Sequence, residues 1–94
     1  MVQKATDSQL ESFLTNYPFW TLVEGKLHRE FLFEDFTQAF AFMTRVALVA
    51  EQKNHHPEWS NVYNRVEVNL VTHEVNGVTE LDIRLARLMD RFAA

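Results

Sequence analysis

The stretch between Asp35 and Pro57 constrains the fold of this chain more than any other. Asp35 is a good N-cap with Gln38 three residues on, and from Phe36 to about Lys53 no glycine or proline breaks a helix. At 100° per residue, Phe36, Ala39, Phe40, Met43, Val46, Ala47 and Ala50 fill one wide stripe, which is expected to lie on a sheet. Phe42 and Val49, seven apart, mark a second seam on the far side, with Leu48 and Ala41 nearby. Eleven of the 16 residues from Phe36 to Glu51 are therefore apolar, more than a helix in a 94-residue domain can bury within its own fold. The seam around Phe42 and Val49 thus predicts a partner helix, and with it a homo-oligomer.

The remaining elements follow from local signals. Thr6 and Gln9 form a capping-box pattern, and Leu10, Phe13, Leu14 and Tyr17 recur at helical spacing up to Pro18, giving a short helix over residues 7–16. Phe19 to Glu24 and Leu27 to Phe33 read as a hairpin about Gly25-Lys26, with Leu27, Phe31 and Phe33 on one face. Asn54 closes the long helix and Pro57 forces His56 toward an extended backbone, so Asn54-His55-His56-Pro57 is a helix-to-strand corner. Trp59 to Tyr63 and Val66 to His73 then alternate as strands about an Asn64-Arg65 turn. After Gly77 a last helix begins, with Thr79 and Asp82 in capping-box spacing and a stripe of Leu81, Leu85, Leu88, Met89 and Phe92. The order α-β-β-α-β-β-α predicts a four-stranded antiparallel sheet with the helices on one face, an α+β class. Two Gly, two Pro and no linker or repeat assign residues 1–94 to one domain.

Composition narrows the chemistry. There is no cysteine, which removes disulfides, thiolate metal sites and cysteine nucleophiles. Nine Lys and Arg against 13 Asp and Glu give a net charge of −4, which disfavours direct nucleic-acid binding. Neither a signal-peptide pattern nor an 18-residue apolar stretch occurs, so a soluble, cytoplasmic protein without membrane contact is expected. Nucleotide, acyl-transfer and zinc-protease motifs are missing, and what remains is histidine.

His28 stands alone in a strand, and the adjacent His55 and His56 make a poor chelate, so no metal is expected. A tight turn at Asn64-Arg65 pairs Tyr63 with Val66 and, carried along the hairpin, sets His73 opposite His56. Glu51 lies one helical turn before His55, within reach of an imidazole, although an exposed last-turn carboxylate needs no such role. Asp82 likewise has a sufficient task in its capping box, and Trp59 and Tyr63 share a face with Val66, Val68 and Leu70, as core residues would. A histidine cluster with a supporting carboxylate moves protons, which leaves elimination, hydration and tautomerisation open.

Glu51, then His55-His56-Pro57, Tyr63 after five residues, His73 after nine more and Asp82 after a further eight: this pattern resembles the signature of the pterin-4a-carbinolamine dehydratases. Phe42 to Leu48, Glu58 to Asn64, and Thr72-His73-Glu74 leading to Gly77 look like family sequence too, so the resemblance runs from about residue 19 to 92. It implies elimination of water from 4a-hydroxytetrahydropterin to give quinonoid dihydropterin, with no metal or other cofactor. It assigns binding and acid–base work to His55, His56 and His73, support to Glu51 and Asp82, and the shaping of the pocket to Pro57 and Trp59. Asn54 departs from relatives that carry Asp there. The family also implies a tetramer built as two dimers. Its animal members further act as dimerisation cofactors of a homeodomain transcription factor through the surface of the second helix, a role that would add a nuclear location.

Overall fold

The computed structural model describes residues 2–94. Its elements are α1 (Asp7–Asn16), β1 (Thr21–Val23), β2 (Lys26–Leu32), α2 (Phe36–Lys53), β3 (Glu58–Val62), β4 (Arg65–Leu70) and α3 (Glu80–Ala93). All strand pairs are antiparallel, in the spatial order β1-β2-β4-β3. The expected α+β architecture and element order are the observed ones.

Alternation along the two central strands decides which face the helices cover. Leu27 and Phe31 of β2 and Val66, Val68 and Leu70 of β4 are buried, and His28, Glu30, Glu67 and Asn69 point the other way. Helices α2 and α3 close the apolar face through Ala39, Val46, Leu85, Ala86 and Met89, and Phe13 of α1 joins the same core. Asp90 fastens the end of α3 to the sheet by accepting from both the indole of Trp20, at 2.8 Å, and the guanidinium of Arg29.

Helix α2 keeps part of its expected stripe inward and turns the rest to solvent. Ala39, Phe42, Val46 and Ala50 are its buried residues, while Phe36, Phe40 and Ala47 are exposed. At 100° per residue this rotates the core face by roughly 60° from the expected stripe. The cause is aromatic packing. The Phe42 ring lies 4.8 Å from Phe31 and 4.9 Å from Phe33, centroid to centroid, and is only 3% exposed. Phe42 therefore belongs to the core of its own chain and is withdrawn from the expected intersubunit seam, whose other members differ: Val49 is half-buried, and Leu48 and Ala41 are exposed. The large apolar side chains left in solvent on α2 are Phe36, Phe40 and Leu48.

The second hairpin also differs from its expected register. Val62 pairs with Arg65, so the two-residue loop is Tyr63-Asn64, and Trp59 faces Val68. Tyr63 rather than Asn64 takes the left-handed conformation, at φ 52°, because Asn64 is committed to the end of β2. Its carbonyl accepts from Phe33 N at 2.9 Å and its amide donates to Phe33 O at 3.0 Å. Tyr63 is accordingly exposed rather than packed in the core. Strand β4 ends at Leu70, and His73 falls in a turn closed by the Thr72–Gly77 bridge instead of opposite His56.

Candidate functional site

The corner after α2 sends two neighbouring imidazoles in different directions. Asn54 is left-handed, at φ 51°, and His55 N donates to Ala50 O at 3.0 Å, which caps the helix in the manner its sequence suggested. From that fixed point His55 reaches α3, where its Nε2 lies 2.6 Å from Asp82 Oδ1. His56 instead turns back over the last turn of α2, with Nε2 2.8 Å from Glu51 Oε1. Glu51 thus holds His56 and not His55.

Asp82 is wholly buried. Its Oδ2 accepts from Thr72 Oγ1 at 2.8 Å and from Thr79 N at 2.9 Å, so the capping role and the histidine contact share one carboxylate. An ionised carboxylate only accepts, which assigns the proton of the His55–Asp82 bond to Nε2 and leaves Nδ1 of neutral His55 with a lone pair.

His73 follows Thr72 directly, and its Nε2 is 3.0 Å from Glu58 Oε2. Glu58 Oε1 also accepts from Lys26 Nζ at 2.7 Å. The hydrogen bond from the Lys26 ammonium, with smaller help from the charges of Lys26 and His73, outweighs burial and holds the Glu58 carboxyl below its ordinary value near 4.5. Each of the three signature histidines therefore has its own carboxylate: Asp82, Glu51 and Glu58 in turn.

These pairs sit at one end of the sheet, where β4 has just finished and β3 begins, since Glu58 faces Asn69. The hydrogen-bonded link from His55 through Asp82 to Thr72 ties the corner to the turn carrying His73. Beside His55 is a recess of about 210 Å³ lined by Lys53, Leu81, Arg84 and Leu85. A larger hollow of about 450 Å³ lies where residues 2–6 meet the start of α3, but no histidine lines it. Pro57 is half-buried in the corner, and Trp59 packs its half-buried ring against the core; neither lines the His55 recess. His28 is elsewhere, on the outer face of the sheet, 2.9 Å from Asn69 Oδ1. Among the described residues no group of three or more His, Asp or Glu side chains is placed to hold a metal ion, and no helix is long and apolar enough to cross a membrane.

Sequence reasoning overlooked Glu58, Thr72 and Lys26. Glu58 had a readable signal, a carboxylate one residue beyond the His-His-Pro corner; Thr72 and Lys26 had none until the strand register was known.

The fold and these side chains define a small α+β protein with three histidine–carboxylate pairs at one end of its sheet, one of them largely buried. Comparison with known proteins agrees on which family this is. The family model described as pterin 4 alpha carbinolamine dehydratase matches residues 3–92, and the chain belongs to that family. A Solibacter usitatus protein provisionally named pterin-4-alpha-carbinolamine dehydratase is 51% identical over 94 residues, covering 100% of this chain and 99% of its own. A Burkholderia vietnamiensis protein with the same provisional name is 50% identical over 96 residues, covering 100% of this chain and 94% of its own. The crystal structure of a transcriptional coactivator/pterin dehydratase from Brucella melitensis superposes with a TM-score of 0.94 at 47% identity, covering 98% of this chain and 100% of that one.

Proposed function

We propose that this chain, acting as a single domain over residues 1–94, eliminates water from 4a-hydroxytetrahydrobiopterin to give quinonoid dihydrobiopterin, and so serves tetrahydrobiopterin recycling in the cytoplasm. The observation that carries the reading is the His55–Asp82 pair at 2.6 Å, a clamped imidazole at the edge of a recess in a member of this family. In the reaction the C4a–O bond breaks, the N5 proton is lost and C4a=N5 forms, so one group must protonate the departing hydroxyl and another must take the N5 proton. Neutral His55, protonated on Nε2, offers Nδ1 as the base. His56 and His73, whose rings reach solvent, deliver a proton and recover it from water. Glu51, Glu58 and Asp82 fix the three rings, and Pro57 and Trp59 hold the corner's shape. No metal, redox step or further cofactor is called for. Steady-state assay with synthetic pterin carbinolamine tests this: folded protein that fails to accelerate dehydration overturns it.

A second reading concerns association. The exposed Phe36, Phe40 and Leu48 on α2 favour a homo-oligomer, a dimer of dimers, built on that side of the helix. The same side suits a transcription-factor partner, as the name of the Brucella melitensis coactivator suggests for that protein, and this use would bring the chain to the nucleus. Light scattering with Leu48→Glu tests the assembly: a monomer in the wild-type chain, or an assembly indifferent to the charge, contradicts it.

A further inference from the structure

The hydroxyls behind Asp82 form a directed chain, and its direction follows from counting protons. Thr72 Oγ1 gives its one proton to Asp82 Oδ2 at 2.8 Å. Its 2.7 Å contact with Thr79 Oγ1 can then be a hydrogen bond only if Thr79 donates. Thr79 Oγ1 is free to do so, because in its remaining contacts it only accepts, from Leu81 N at 3.2 Å and from the Asp82 backbone N–H of the capping box. The sequence of donors is therefore Thr79 hydroxyl to Thr72 hydroxyl to Asp82, with His55 Nε2 donating to the other carboxylate oxygen. Thr72, Thr79 and Asp82 are 3%, 0% and 0% exposed, so no water can replace a missing member cheaply. Among the described residues only Arg29 Nε is a buried side-chain polar atom without a partner, so this network is closed.

We propose that Thr72 is a positioning residue for the dehydration: its hydroxyl, backed by Thr79, holds the Asp82 carboxylate in the one orientation that keeps the His55 proton on Nε2 and the ring fixed. This rests on the reading of His55 as an acid–base group, but the hydroxyl's hold on the ring is measurable without catalysis. Thr72 touches no reacting atom and acts only through Asp82. A carboxylate missing one of its two Oδ2 donors is free to swing toward whichever donor remains, and the imidazole follows it.

Two substitutions separate this role from packing, because they rank in opposite orders. Thr72→Val keeps the shape and removes the hydroxyl; Thr72→Ser keeps the hydroxyl and removes a methyl group. In the full-length protein, assayed with synthetic pterin carbinolamine, Thr72→Val is expected to lower kcat by about 10–100-fold, the range spanned by one hydrogen bond to a charged group, with KM little changed. Thr72→Ser is expected to stay within about threefold of the wild type. Independently of activity, the low-field NMR resonance of the His55 Nε2 proton should exchange with water about 10-fold or more faster in Thr72→Val than in Thr72→Ser. A packing role gives the reverse order, with Val like the wild type and Ser impaired, and overturns the proposal. Equal exchange of the His55 proton in both variants overturns it as well. If the wild type itself is inactive, the function proposed above fails, and the exchange comparison still decides the role of Thr72.

Discussion

The substitution Asp82→Asn changes one atom's chemistry at nearly constant shape, and the structure fixes how the site must respond. The carboxylate receives three donors: His55 Nε2 on Oδ1, and Thr72 Oγ1 and Thr79 N on Oδ2. An amide has one acceptor oxygen and one NH₂, so one side must now face a donor with a donor. Turned toward Thr79, the NH₂ meets a backbone N–H that cannot reverse. Turned toward His55, it meets a ring that accepts simply by moving its proton to Nδ1. The second orientation is cheaper, and it leaves the imidazole with a lone pair facing the new amide and a proton where the base should be. The stability lost is that of one hydrogen bond to a charged group, about 1.5–3 kcal/mol. Against a total of about 5–14 kcal/mol for a chain of this length, the variant stays folded. Activity should fall much further, by about 10²–10⁴-fold in kcat, as it does when the wrong tautomer is imposed on a Ser-His-Asp triad. Three measurements check this: steady-state kinetics with pterin carbinolamine, urea unfolding, and nitrogen NMR of the His55 ring. A variant with the proton on Nδ1 and kcat within about threefold of the wild type would refute His55 as the base. A proton still on Nε2 would refute the donor count itself.

Other expectations follow from the same geometry. Phe42→Ala should cost about 3–5 kcal/mol in urea unfolding, since it removes the buried ring tilted against both Phe31 and Phe33, whereas Phe40→Ala should cost under about 0.5 kcal/mol; equal effects would return Phe42 to the surface. Because the folded state holds Glu58 below its ordinary value near 4.5, its contribution to stability is present above that pH and drains away as the pH falls through the lower folded value. Glu58→Gln should therefore be slightly less stable than the wild type at neutral pH and indistinguishable from it in strong acid, the effect staying small because Lys26 and Glu58 are 36% and 38% exposed. His55→Ala and His73→Ala should each lower kcat by about 10²–10⁴-fold and the double variant by far less than the product, because base and acid act together, with His28→Ala close to the wild type; multiplicative losses would mean that the two rings work independently.

What could be read in the sequence was what short-range chemistry decides. The capping boxes Thr6/Gln9 and Thr79/Asp82, the Asn54 cap and the Pro57 stop all act within one helical turn, and they placed α1, α2 and α3 where the structure has them. Of the inward face of α2, Ala39, Val46 and Ala50 were legible, but Phe42 was not, because two apolar stripes compete on one helix and the choice is made by the upstream rings of Phe31 and Phe33. The histidine partners were illegible for a related reason. They depend on a register that moved when Asn64 bonded to Phe33 and left the left-handed position to Tyr63. Glu51 could be picked out as a carboxylate near a histidine, and Asp82 only through the family resemblance, but which ring each would hold depended on the direction of the corner.

Asp82 closes the capping box of α3 and anchors His55 with the same pair of oxygens. The first turn of that helix therefore cannot fray without disassembling the histidine centre, and helix ends fray at a lower free energy than cores unfold. Heat should thus silence the centre before the core melts, so the temperature at which activity fades would report the grip of one helical turn rather than the endurance of the whole protein. Strengthening the core alone would raise the melting point and leave that working limit where it was.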